Sequence, residues 1–105
     1  HLPHVLAHTL VAELAGRHDS AALFAHAGPG FRDFTRIAAS SPEMWRDVTL
    51  ANRHALIAEL AAFVDALAKV ARALAAGDGD TLEDLFRRSR DARRDWQAGG
   101  SVDGE

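Results

Sequence analysis

Leu56, Leu60, Phe63, Leu67, Val70 and Leu74 recur at alternating steps of four and three, and no other feature so narrows the folds open to this chain. Such spacing keeps one apolar stripe along an α-helix and describes helices packed side by side. A helix that begins at Ser41 or Pro42 carries the stripe to Ala76, where Gly77-Asp78-Gly79 ends it. At 1.5 Å per residue that element spans on the order of 50 Å. A 105-residue chain cannot comfortably cover so long a helix by itself. The spacing therefore predicts that part of the stripe packs on a second copy, as a homodimer; a bundle within one chain is the competing arrangement.

Alanine and leucine dominate, tyrosine and cysteine are absent, and β-branched residues are few, so propensity favours helix throughout. The expected fold is all-α: a helical bundle domain with one long central helix, in an intertwined or side-by-side homodimer. Twelve Lys+Arg against fifteen Asp+Glu give a net charge of −3, with no global drive toward nucleic acid or an anionic membrane. Without cysteine there is no disulfide framework or thiolate metal cluster, which fits a reducing, cytoplasmic setting. No signal peptide or apolar run of membrane-spanning length is evident. The chain opens on His1, already in a helical pattern, so it reads as a piece of a longer protein.

In chain order, a first helix is expected from Leu2 to Gly16, with Pro3 in its first turn. Leu2, Leu6, Leu10 and Leu14 form its ridge, widened by Val5 and Val11. His1, His4 and His8 share a flank at steps of three and four. That spacing admits either a zinc site of the HxxHxxxH kind or simply polar histidines at a solvent edge. After a polar break at Arg17 to Asp19, Ser20 to Ala27 form a short helix. Gly28-Pro29-Gly30 then reads as a tight loop able to take positive φ and to aim the next helix, Phe31 to Ile37.

On that helix Asp33 and Arg36 stand three apart, an acid and a guanidinium on one face. Two readings are open. The pair is a surface ion pair, or the arginine, flanked by Phe34 and Ile37, is partly desolvated and serves a carboxylate through two parallel hydrogen bonds. Ser40-Ser41-Pro42-Glu43 supplies the cap oxygen, fixed φ and first-turn acid of a new helix, with Trp45 in its first turn as core, pocket wall or interface. A last helix is expected from Asp80-Thr81 to about Trp96, with Glu83 in a capping-box contact. Its arginines Arg87, Arg88, Arg90, Arg93 and Arg94 alternate with acids at pairing distance, which makes a solvated face rather than a nucleic-acid patch. Gly99 to Glu105 read as a disordered tail.

The stretch Gly30-Phe31-Arg32-Asp33-Phe34-Thr35-Arg36-Ile37-Ala38, continued by Ser40, Pro42, Met44-Trp45, Asp47 and Asn52, resembles the C-terminal domain of prephenate and arogenate dehydrogenases. His1-Leu2-Pro3-His4 resembles the HLPH of the same domain. The resemblance implies a helical domain over residues 1–98 that dimerises and supplies part of a substrate pocket. It places His4 toward the substrate with His1 close by, Arg36 on the ring carboxylate of prephenate, and Asp33 as the group orienting Arg36. Gly30 and Trp45 fall near the same site, and Asn52 is only weakly implied; His8 lies outside the motif and inherits no role. By the same resemblance NAD or NADP is bound by a Rossmann domain upstream of this chain, and the catalytic proton acceptor also lies there. This chain would then be inactive alone. A helical dimerisation module without a pocket is the alternative from another functional class.

Overall fold

A computed structural model describes residues 1–99; Gly100 to Glu105, which make up most of the expected tail, lie outside the described residues. The described residues are helical with no strand: α1 (Leu2–Ala15), α2 (Ser20–Ala25), α3 (Pro29–Thr35), a 3₁₀ turn η1 (Arg36–Ala39), α4 (Pro42–Ala51), α5 (Arg53–Ala76) and α6 (Gly79–Ala98). The all-α expectation holds. None of these helices is long and apolar enough to cross a membrane.

The continuous helix expected from Pro42 to Ala76 is instead two helices divided at Asn52. Asn52 leaves helical geometry at φ −114° and ψ 23°. Its side-chain amide donates to the Val48 carbonyl at 2.8 Å, and its backbone N–H donates to that of Thr49 at 3.1 Å. Asparagine competes with the helix in this way, offering local hydrogen bonds that close the last turn. The Asn52 carbonyl accepts from the Leu56 N–H at 3.0 Å and so starts α5 at once. The remaining 24-residue helix spans about 36 Å.

The Gly28-Pro29-Gly30 loop is also tighter than expected. Gly28 is extended, at φ −92° and ψ −178°, and Pro29 and Gly30 already belong to α3. Proline at the start of a helix loses nothing by lacking an N–H. The positive φ appears elsewhere, at Gly77 with φ 65°, where the chain turns between α5 and α6.

Asp78, not Asp80-Thr81 with Glu83, caps α6: its carboxylate accepts from the Thr81 N–H at 3.1 Å and from the Thr81 hydroxyl at 2.6 Å. Glu83 lies a turn too far in to reach the cap and pairs with Arg87 at 2.9 Å. Arg88 pairs with Asp84 at 2.9 Å and Arg90 with Asp91 at 3.0 Å, the solvated, charge-laced face that the sequence suggests. The Thr81 hydroxyl and then its N–H hold the Asp78 carboxyl below its ordinary range. A depressed folded-state pKa contributes stability above the unfolded value, near pH 3.9, that is lost as pH falls through the folded one. Asp78→Ala is therefore expected to lower the thermal midpoint at pH 7. The gap to wild type should narrow at pH 3, as read by circular dichroism melts at both pH values; a gap equal at both would remove the carboxylate from the cap.

The chain groups into two compact units, His1–Ala61 and a second that begins at Ala62. In the first, α1 packs against η1, α3 and α2 and buries Ala7 completely. In the second, α6 follows α5 through the Gly77-Asp78 turn, where the Asp78 N–H donates to the Ala73 carbonyl at 2.9 Å. Only Ala7, Leu56 and Ala73 are buried hydrophobics among the described residues, while Ile57, Val64, Leu67 and Leu74 are each more than half exposed. The apolar repeat of α5 thus divides: Leu56 is covered, Leu60, Phe63 and Val70 are half-covered, and Leu67 and Leu74 face outward.

Candidate functional site

Two helix starts bring the site together. Pro3 opens α1 and leaves His4 in its first turn. Ser41 caps α4, its hydroxyl accepting from the Met44 N–H at 3.3 Å, with Pro42 next. Trp45 consequently rides the first turn of α4, and its ring stacks on that of His4, centroids 3.8 Å apart and planes 17° from parallel. His1 meets the same indole edge-on, at 6.0 Å and 70°. Stacked and edge-on ring contacts of this kind add to the burial of the rings.

Beside the stack is a cleft of about 390 Å³ whose wall includes His4, His8, Ser40, Trp45, Arg46 and Thr49. Its polar groups are already sorted by their local bonds. The Ser40 hydroxyl donates to the Ile37 carbonyl, and the Thr49 hydroxyl to that of Trp45 at 2.8 Å. Both protons are engaged, so these oxygens offer lone pairs to anything in the cleft. The Arg46 Nε donates to Asp47 at 2.9 Å, leaving the outer guanidinium nitrogens as donors. Such a wall suits a small anion that also carries a hydroxyl. A larger cavity of about 440 Å³ between α5 and α6 is lined chiefly by alanine, valine and leucine with Asp65, Lys69 and Arg88, and holds none of the residues expected at a site.

His1, His4 and Trp45 are brought together, whereas Arg36, Asp33 and Gly30 are not part of that wall. Arg36 opens η1 and is exposed, and among the described residues it forms no ion pair with Asp33. Thr35, at φ −97° and ψ 1°, leaves α-geometry between the two, so the regular i, i+3 register is broken. Among the described residues Arg36 is exposed and Phe34 is 49% exposed, so the desolvation expected of them is not seen, although Ile37 is half-buried. A Cβ built on Gly30 would touch nothing within 4 Å, so no neighbour among the described residues requires glycine there. Asn52, with His1, borders a separate hollow that also includes Glu59. Among the described residues no three potential metal ligands converge: His4 is committed to the Trp45 stack and His8 lies a turn away.

His8, Arg46 and Thr49 are wall residues that the motif did not point to. Periodicity carried a signal for two of them: His8 lies one turn beyond His4 on α1, and Thr49 one turn beyond Trp45 on α4.

An all-helical domain with a polar, aromatic-walled cleft and an uncovered apolar helix face has the character of a module that works against other protein surfaces. Residues 1–88 match the family described as prephenate dehydrogenase, dimerization domain, and the chain belongs to that family. It is 39% identical over 95 residues to the cyclohexadienyl dehydrogenase of Zymomonas mobilis, covering 89% of this chain and 32% of that protein. It is also 34% identical over 97 residues to the prephenate dehydrogenase of Bacillus subtilis, covering 89% of this chain and 25% of that one. With the prephenate dehydrogenase of Lactococcus lactis it shares 33% over 95 residues, covering 90% and 27%. The chain thus spans about a quarter to a third of the length of the curated relatives it matches.

Proposed function

We propose that this chain is the dimerising, substrate-binding part of an NAD(P)-dependent dehydrogenase that oxidatively decarboxylates prephenate, or its amino counterpart arogenate, in tyrosine biosynthesis. The observation that carries the reading is the His4–Trp45 stack at a polar cleft. The two segments with the family's signature residues, HLPH and PEMW, are distant in sequence, and a module that only dimerised would have no reason to join them there. A dinucleotide held elsewhere in the parent protein would supply the hydride-accepting chemistry of such an oxidation.

This chain's share is to bind and orient. Its described residues do not fit a dinucleotide cradle: there is no strand among them, and the glycine loop opens a seven-residue helix. As the family resemblance implies, we assign NAD(P) and the proton acceptor to another domain of the parent protein. Arg36, exposed on η1, offers a planar, permanently charged fork for a carboxylate once a neighbouring surface covers it. The uncovered face of α5 supports a homodimer as one source of that cover. NADH or NADPH formation by the intact parent protein, with prephenate and then arogenate, tests the reading. Turnover of at least one is expected; none of either, with both dinucleotides, would sink it.

A further inference from the structure

We propose that the groove between α5 and α6 receives Trp96 of a second copy of the chain, each copy giving its indole to the other; the inference rests on the homodimer reading and gives it a specific contact. Ala66, Val70, Leu82 and Leu85 are among the apolar residues that line the groove, and its volume of about 440 Å³ is ample for an indole ring. Trp96, near the end of α6, is 56% exposed. A large apolar knob and an apolar hollow thus occur on the same unit of the chain. A two-fold pair needs just that, because each copy then presents both halves of the contact.

Charge favours a second copy as the occupant. Asp65 and Lys69 also line the groove, four residues apart on α5. The same spacing pairs Glu83 with Arg87 and Asp84 with Arg88 on α6, yet neither Asp65 nor Lys69 makes an ion pair among the described residues. The complementary charges stand beside Trp96. Arg93, whose guanidinium lies 4.5 Å from the indole centroid, and Asp95 also form no ion pair among the described residues. An indole that enters the groove brings Arg93 to Asp65 and Asp95 to Lys69. Tryptophan and arginine are the residue types that most often anchor an interface. Both lie past residue 88, where the match to the dimerization family ends, so the contact adds to whatever the matched residues supply.

Sedimentation equilibrium of the intact parent protein over a concentration series tests this. Trp96→Ala is expected to raise the dimer dissociation constant about 100-fold or more, since the anchor is lost twice in a two-fold pair. Asp65→Arg and Arg93→Asp should each raise it at least about tenfold by setting like charges together. The two combined should recover most of the loss, because the pair is restored with its signs exchanged. All three residues are exposed, so none of the substitutions opens a core.

A dimer unmoved by Trp96→Ala would overturn the groove as the seat of the indole. So would single charge variants that associate as tightly as wild type, or a combined variant no tighter than either single one, because Asp65 and Arg93 would then not meet. Wild-type protein that stays monomeric throughout would instead overturn the homodimer reading, and this contact with it; the wild-type series separates the two failures.

Discussion

Arg36→Ala in the intact parent protein is expected to raise KM for prephenate by about 30- to 5,000-fold, equivalent to about 2 to 5 kcal/mol, with a much smaller change in kcat. The range follows from what the substitution leaves behind. A carboxylate held by a guanidinium through two charge-assisted hydrogen bonds loses them and also loses its counter-charge in a site shielded from water. A loss concentrated in KM marks an interaction present equally in the bound substrate and the transition state. Arg36→Lys should recover only part of the effect, since an ammonium cannot reproduce the planar fork. In the chain by itself Arg36 is exposed and makes no ion pair among the described residues, so no internal structural role competes for the result. Steady-state kinetics decide it. A KM within about threefold of wild type would take the ring carboxylate away from Arg36.

Leu67→Asp should weaken self-association by about 10² to 10⁴-fold, judged by sedimentation equilibrium over a concentration series. Leu67 is 53% exposed on α5, in line with Val64 at 61% and Leu74 at 63%. Burying a leucine fully is worth about 1.5 to 3 kcal/mol. In a two-fold dimer each substitution occurs twice, so about 3 to 6 kcal/mol is at stake before the cost of desolvating two carboxylates is added. Exposed apolar area on this scale is unusual for a stable monomer and marks a surface made for another protein. A variant that remains as associated as wild type would show that this face of α5 is covered by something other than a second copy. Arg36 and Leu67 are linked in this proposal, because loss of the dimer should also remove cover from the carboxylate site.

Much of the fold was legible in the residues. Helix starts announced themselves through Pro3 and Ser41-Pro42, and the end of α5 through Gly77-Asp78-Gly79, because caps and breakers act on their nearest neighbours in sequence. Two of the places where expectation and structure part are equally local in origin. Asn52 interrupts the long helix with its own side chain, a competition that apolar periodicity does not register. Asp78 displaces Glu83 from the cap because it lies closer to the first free N–H groups. In the candidate site, the HLPH and DFTRIA motifs singled out His4 and Arg36, but no motif revealed that only the first borders the cleft shared with Trp45. Nor did one single out His8, Arg46 or Thr49, which line the same cleft.

The sequence by itself determined the helical class, the family signature and the excess of apolar helix surface, since each depends on residue type and short spacings. Tertiary structure alone decided which side chains meet: His4 with Trp45, His8 beside both, and Arg36 apart from Asp33. The reason is physical. Propensity and capping act within a turn or two of chain, whereas a cleft is made by helices whose relative placement depends on packing that no local spacing encodes.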